Sequence, residues 1–137
     1  KKMSKSDPSD LSRINLTDDK DEILNKIKKA KTDPLPLPEE AKDLAKRPEA
    51  ENLLRIYSSL KNQNLEISVS EFSGKNFSEF KEKLSEALTE KIEPISKEIK
   101  KLLNDEKYLD TILLEGSDKA DKIASKKIKE IKELVGF

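Results

Sequence analysis

One apolar stripe constrains the fold more than any other feature of the chain. Phe77, Phe80, Leu84, Leu88, Ile92, Ile95, Ile99 and Leu102 recur at steps of three and four, the spacing that aligns side chains along one face of an α-helix. Such a stripe buries a continuous seam, and stripes of this kind mark a core more often than a binding surface. Asn76 and Glu79 stand at its start as a capping pair. Pro94 lies inside it and removes the hydrogen bond that its N–H would give to Glu90, so a kink is expected there.

The remaining segments also read as helices. Residues 1–18 read as a loop ending in a short extended piece, Ile14-Asn15-Leu16. Thr17 or Asp18 offers an N-cap, and Asp19, Asp21 and Glu22 suit the positive end of a helix dipole. The first helix is expected from Asp19 to Lys31, with Ile23, Ile27 and Ala30 on one face. Pro34-Leu35-Pro36-Leu37-Pro38 cannot be helical and predicts a stiff extended connector, read as a linker rather than as a ligand for a proline-binding module. Pro48 suits a helix start, and Leu53, Ile56, Tyr57 and Leu60 form one stripe. Across residues 65–73, Leu65, Ile67 and Val69 alternate like a strand, whereas Leu65, Val69 and Phe72 fit a helix closed by Gly74. The helix is favoured, since a single strand would have no partner. Leu109, Ile112 and Leu113 predict a short helix ending at Gly116. Ser117 then caps a last helix with Ala120, Ile123, Ala124, Ile128, Ile131 and Leu134 facing inward. No internal repeat is evident, and the expected fold is mainly α.

Composition bounds what such a bundle can do. The 137 residues suffice for one domain with a modest core, or a small domain plus an arm. Apolar residues make up 34% and charged residues 41%, which suits thin amphipathic helices. No apolar run is long enough to span a membrane. The absence of cysteine excludes disulfides and thiolate metal sites and fits the cytoplasm. Without histidine as well, no Ser-His or Cys-His constellation can form. Net charge is zero; residues 1–33 carry nine basic and seven acidic side chains, and residues 67–137 carry fourteen and fifteen. Binding of nucleic acid by bulk electrostatics would need a basic excess, so any RNA contact must come from local patches. The cluster Asp18, Asp19, Asp21 and Glu22 lacks the glycine and terminal glutamate of a calcium loop, and dipole pairing explains it better.

The chain opens with Lys1-Lys2-Met3-Ser4-Lys5-Ser6, an intact Lys-Met-Ser-Lys-Ser (KMSKS) signature. Two lysines three residues apart suit a loop that grips a polyphosphate, since their ammonium groups can follow charge building on a leaving pyrophosphate. The serines add hydrogen bonds without bulk, and Met3 can anchor the loop on an apolar surface. A lysine-rich chain also produces such clusters by chance, as a solvated tail. The next residues discriminate: Asp7-Pro8-Ser9-Asp10-Leu11-Ser12-Arg13-Ile14-Asn15-Leu16-Thr17-Asp18-Asp19, then Lys26-Ile27-Lys28-Lys29-Ala30-Lys31-Thr32-Asp33, then Asn52-Leu53-Leu54-Arg55-Ile56-Tyr57-Ser58. With Gly74-Lys75-Asn76-Phe77, Phe80-Lys81 and Glu115-Gly116-Ser117-Asp118-Lys119-Ala120, this ordered series resembles the C-terminal part of the bacterial tryptophanyl-tRNA synthetases, class I aminoacyl-tRNA synthetases. The resemblance covers essentially the whole chain. The tyrosyl enzymes, the nearest relatives in that class, usually depart from KMSKS in the signature loop.

The resemblance implies that tryptophan attacks the α-phosphate of ATP and then passes from the adenylate to the 3′ end of its tRNA. The substrate carboxylate is the nucleophile, so catalysis is positioning and charge stabilisation. Lys2 and Lys5 take the catalytic role of contacting the triphosphate, and Lys2, Met3, Ser4, Lys5 and Ser6 form the ATP-binding loop. Mg²⁺ would enter bound to ATP rather than in a protein cage. The resemblance divides the chain into the KMSKS loop and end of the catalytic domain (1–18), a connecting helix and proline-rich linker (19–38), and a helical anticodon-binding domain (39–137). In that last part Arg47, Arg55, Lys61, Asn62, Gln63 and Asn64 are candidate anticodon contacts for tRNA(Trp), although Lys61-Asn62-Gln63-Asn64 reads equally as an ordinary polar turn. The parent enzyme implied is a cytoplasmic homodimer with an N-terminal Rossmann-like α/β domain that carries a His-x-Gly-His-type signature. The start in mid-motif, without an initiator methionine, reads as a truncation, and this chain alone is expected to be inactive. The competing reading is a stand-alone helical module that binds RNA or protein without catalysis. Sequence upstream of Lys1 separates the two.

Overall fold

A computed structural model of the chain describes residues 8–136. These residues form helices α1 (Lys20–Lys29), α2 (Pro48–Lys61), α3 (Leu65–Glu71), α4 (Phe77–Leu103) and α5 (Glu106–Val135), with 3-10 turns at Asp10–Ser12 and Ala41–Lys46. The mainly α expectation holds, and no strand occurs among the described residues. The chain divides into two compact units, Lys1–Lys97 and Glu98–Phe137.

The first unit holds the core. Helix α1 begins with a reciprocal capping box: the Asp19 side chain accepts from the Glu22 N–H at 2.9 Å, and the Glu22 carboxylate accepts from the Asp19 N–H at 2.8 Å. The cap is therefore Asp19 rather than Thr17 or Asp18, and the helix ends at Lys29, two residues short of expectation. Ile23 and Ile27 are buried and Ala30 packs against the core. At the C-terminal end of α1, Lys81 Nζ on α4 donates to the Ala30 carbonyl at 2.6 Å and the Lys28 carbonyl at 3.1 Å. A cation placed there satisfies orphan carbonyls and the negative end of the helix dipole, and burial holds the Lys81 pKa below its usual value.

The proline segment is extended, and it is also fastened into the core. Leu37 is 2% exposed. Its N–H donates to the Lys75 carbonyl at 2.8 Å and its carbonyl accepts from the Gly74 N–H at 3.1 Å. Gly74 turns with φ +68, a conformation that favours glycine. Arg47 holds the segment from the other side. Its Nη2 and Nε reach the two Asp33 carboxylate oxygens at 2.6 and 3.0 Å, and its guanidinium also donates to the Pro36 and Leu35 carbonyls at 2.6 and 3.0 Å. The same guanidinium lies 5.7 Å from the centre of the Phe77 ring.

Pro48 occupies the first position of α2, as expected, but the inward face differs from the stripe read in sequence. Ala50, Leu53, Leu54 and Tyr57 are buried and Leu60 packs against the core, whereas Ile56 is exposed. Residues 65–71 are helical, as favoured. Tyr57, Phe72 and Phe80 meet edge to face, with centroids 4.8 to 6.0 Å apart. Helix α4 starts with the Glu79 N–H donating to Asn76 Oδ1 at 2.9 Å, while the Glu79 carboxylate pairs with Lys75 at 2.7 Å instead of closing the box. Its stripe is buried through Phe77, Phe80, Leu84 and Leu88, and Ile92 packs against the same core. Beyond that point Ile95 is exposed, and Ser96 is the buried residue, donating to the Thr17 carbonyl at 3.1 Å. The helix runs through Pro94 to Leu103.

The second unit corrects two expectations. Helix α5 is continuous through Gly116, which has no positive φ and no terminating role. An interior glycine weakens a helix by about 1 kcal/mol relative to alanine but does not end it unless the chain turns left-handed there. The expected inward residues of α5 are not buried: Ile123, Ile128, Ile131 and Leu134 are all exposed, and no residue of the helix is buried.

Candidate nucleic-acid interface

Four of the six candidate RNA contacts come together where α2 ends. Helix α2 stops because Asn62 turns left-handed, φ 52 and ψ 44, a conformation that asparagine tolerates better than other residues carrying a Cβ. The Asn62 N–H is satisfied by the Ser58 and Ser59 carbonyls, and the Gln63 N–H donates to the Ser58 carbonyl at 3.0 Å. Beneath the turn, the buried Ser58 hydroxyl donates to the Leu54 carbonyl at 2.8 Å and lies 2.7 Å from the buried Ser68 hydroxyl. Gln63 Nε2 donates to Ser68 Oγ at 2.9 Å and to Glu71 Oε2 at 3.3 Å, so this amide is turned into the fold. Tyr57 donates to the other Glu71 oxygen at 2.9 Å. Burial, then the Glu71 carboxylate, push the Tyr57 phenol up to about 12.

Above this scaffold Arg55, Ser59, Asn62, Gln63 and Asn64 line an open cleft of about 450 Å³. The side-chain amides of Asn62 and Asn64 are exposed, and no hydrogen bond engages them among the described residues. The Arg55 guanidinium pairs with Glu51 at 2.7 Å and remains 62% exposed. Lys61 lies outside the cleft, with Nζ 3.3 Å from Glu90 on α4. Arg47 is not brought to this place; it pins the proline segment instead. An open cleft with amides and one guanidinium suits hydrogen bonding to the edge of an unstacked base. It does not supply the multiple cations that grip a phosphate backbone.

The signature residues Lys2, Met3, Ser4, Lys5 and Ser6 lie outside the described residues. The segment after them is tied to α1. The chain makes a 3-10 turn at Asp10–Ser12, runs without regular structure to Asn15, and turns again with the Asp18 N–H donating to the Asn15 carbonyl at 3.1 Å. Leu16 sits in that turn, so the expected extended piece is shorter by one residue. Lys26, on the buried face of α1, joins both ends of the segment: its ammonium pairs with Asp10 and lies 2.6 Å from Asp18. Asn15 completes the arrangement, donating its N–H to Asp18 at 2.8 Å and its amide to the two Asp10 oxygens at 3.0 and 3.1 Å. Arg13 also reaches Asp10 at 3.0 Å.

Burial alone would lower the Lys26 pKa, but hydrogen bonds to Asp10 and Asp18 outweigh it and hold the group above its usual value. The Lys26 and Asn15 hydrogen bonds hold Asp10 below its own usual value, and the fixed charges of Lys26 and Arg13 add to them. Sequence reasoning missed Lys26. The available signal was its place between Ile23 and Ile27, on the apolar arc of the helix, where an unpaired lysine would be costly.

No group of three or more His, Cys, Asp or Glu side chains arranged for a metal ion occurs among the described residues. Nor is any described helix long and apolar enough to cross a membrane.

Comparison with known proteins agrees with the resemblance carried by the signature and the blocks after it. The family model for class I tRNA synthetases (W and Y) matches residues 1–97. A tryptophan–tRNA ligase of Rhizobium meliloti is 50% identical over 137 residues, which is all of this chain and 39% of the relative. A tryptophan–tRNA ligase of Agrobacterium fabrum is also 50% identical over the same spans, and one of Caulobacter vibrioides is 47% identical over 99% of this chain and 40% of its own length. The chain thus spans about two fifths of the length of the curated relatives it matches. With the family model covering well over half of its residues, the chain belongs to the class I tRNA synthetases of the W and Y family.

Proposed function

We propose that this chain is the C-terminal portion of a tryptophan–tRNA ligase. It carries the loop that holds the triphosphate of ATP and a helical region that reads the tRNA anticodon. The observation that carries the reading is identity of about one half, along the whole chain, to proteins named tryptophan–tRNA ligase, together with an intact signature at Lys2–Ser6. Lys2 and Lys5 contact the β- and γ-phosphates as pyrophosphate leaves, and Ser4 and Ser6 donate hydrogen bonds. Mg²⁺ arrives as part of the ATP substrate. Tryptophan and the adenine are held by residues upstream of this chain, in a polypeptide that works as a cytoplasmic homodimer. Residues 39–137 form the anticodon-binding part, in which Arg55, Asn62 and Asn64 present the free polar edges and Gln63 braces the turn beneath them. Lys61 lies outside that cleft, and Arg47 is engaged with the proline segment.

Tryptophan-dependent ATP–pyrophosphate exchange by the full-length polypeptide tests the reading. Exchange is expected, and Lys5→Ala should remove on the order of 3 kcal/mol of transition-state stabilisation, roughly a hundredfold in rate. A full-length polypeptide that shows no exchange would overturn the enzyme reading in favour of a helical binding module. For the anticodon surface, Asn62→Gly keeps the left-handed turn while deleting the amide. It should weaken tRNA binding by about 1 kcal/mol, with exchange in the absence of tRNA unchanged. Undiminished tRNA affinity would remove Asn62 from the contact surface.

A further inference from the structure

We infer that Lys26 is a positioning residue for the signature loop: through Asp10 and Asp18 it fixes where the loop joins the body of the protein. The inference rests on the reading of Lys2–Ser6 as the phosphate-binding loop and adds to it the device that aims the loop. Three observations carry it. First, the Lys26 ammonium is held between two carboxylates that bracket the segment directly after the signature, and its side chain is only 7% exposed. Second, Asp10 is gripped from several directions, by Lys26, by the Asn15 amide, which also reaches Asp18 at 3.3 Å, and by Arg13. Third, the base of the clamp does not float. Ile23 and Ile27 seat α1 in the core, and Lys81 ties its C-terminal end to α4.

Distance gives the clamp its leverage. Asp10 is four residues beyond Ser6, and four residues span at most about 14 Å even when fully extended. Fixing Asp10 therefore anchors the backbone at a point close in sequence to the signature. A catalyst that works by placing charges gains from a fixed anchor beside its loop, because misplacement by about 1 Å can cost a hundredfold in rate. Stability alone is a poor account of the arrangement. Replacing a buried ion pair by well-packed apolar residues is often neutral or stabilising, so the fold alone does not call for a cation at this place.

The test uses the full-length enzyme and the exchange reaction, with Asp10→Ala, Asp10→Asn and Lys26→Met. Asp10 is half exposed, so Asp10→Ala loosens the clamp while Lys26 keeps Asp18 as its partner; this variant stands in if Lys26→Met does not fold. Expected is a fall of about tenfold in kcat/KM for ATP, with KM for tryptophan unchanged and the thermal midpoint of Asp10→Ala lowered by no more than a few degrees. Asp10→Asn, which keeps an acceptor, should lie between Asp10→Ala and wild type. The decisive arm is the combination with Lys5→Ala. If the clamp acts through the loop, Asp10→Ala costs clearly less in the Lys5→Ala background than it does alone, since only the contacts of Lys2 and the serines remain to be placed. A multiplicative loss in the double variant, or clamp variants within about twofold of wild type beside a disabled Lys5→Ala, overturns the positioning role alone. A near-normal Lys5→Ala overturns the loop reading on which it rests.

Discussion

Helices α4 and α5 carry the same kind of apolar stripe and use it in opposite ways. In α4, Phe77, Phe80, Leu84 and Leu88 are buried in one apolar cluster with Ile23, Leu54, Tyr57 and Phe72. In α5, Ile112, Ile123, Ile128, Ile131 and Leu134 repeat at helical spacing and stay exposed. Period therefore encodes a face and says nothing about what covers it. The cover on α4 comes from other elements of the chain, above all from Tyr57 on α2 and from Phe72 just after α3, whose rings meet Phe80 edge to face. In α5, the local pairs Lys127–Glu130 and Ser125–Asp121 support the helix from its own surface.

The largest expected effect lies at the centre of the buried stripe. Phe80 is 0% exposed, and Phe80→Ala should destabilise the chain by about 3–5 kcal/mol through lost burial and the cavity left between Tyr57 and Phe72. Denaturant unfolding measures this, and a cost below about 1 kcal/mol would show that the aromatic cluster can collapse around the gap.

Next is the Arg47 hub, which lets the proline segment complete that core. Arg47→Ala should cost about 2 kcal/mol by removing hydrogen bonds to a carboxylate and to two carbonyls. It should also change the acid limb of the stability curve. Hydrogen bonding from Arg47 holds the Asp33 pKa below its usual 3.8. A lowered folded-state pKa contributes stability above the unfolded value that is lost as pH falls through the folded one. Wild type should thus lose this contribution on acidification below about pH 4, and Arg47→Ala should lose less, keeping only what the backbone hydrogen bonds to Asp33 supply. Parallel unfolding curves between pH 5 and 2.5 in the two proteins would exclude the coupling.

These hubs mark the limit of what sequence shows. Helix periods, the Pro48 start, the Asn76 cap and the Gly74 turn are local and were legible, because each depends on residues within one or two turns of itself. The signature was legible too, as a contiguous string. Lys26, Arg47 and Lys81 were not. Each is a long cation whose partners lie between 8 and 53 residues away, so its role exists only once the chain has folded. Pattern reasoning places lysine and arginine outside, and here three of them fasten the inside. At the candidate RNA surface the six residues were legible as a group, but their division was not. Only the left-handed Asn62 and the Ser58–Ser68 pair decide that Gln63 points in while Asn62 and Asn64 point out. Gly116 misled for a related reason: glycine permits a helix to end without requiring it.

That last point gives a smaller, stabilising prediction. Gly116 lies within α5, and a Cβ added there would meet nothing within 4 Å. Gly116→Ala should stabilise the chain by up to about 1 kcal/mol, because alanine loses less backbone entropy in a helix. Helical content followed by circular dichroism through a thermal scan checks it, and a loss of helicity would mean that the glycine is needed for a bend or a close approach.

The smallest effect is expected on the exposed stripe itself, and it tests the comparison between the two helices most directly. Ile128 is 51% exposed. Truncating it removes apolar area that already faces solvent and replaces a β-branched residue with a better helix former. Ile128→Ala should therefore change the stability of this chain by no more than about 0.5 kcal/mol, against several for Phe80→Ala at the same kind of stripe position. The two variants together separate period from cover. If Ile128→Ala instead cost about 2 kcal/mol or more, the α5 stripe would be covered in solution as the α4 stripe is. The contrast between the helices would then vanish.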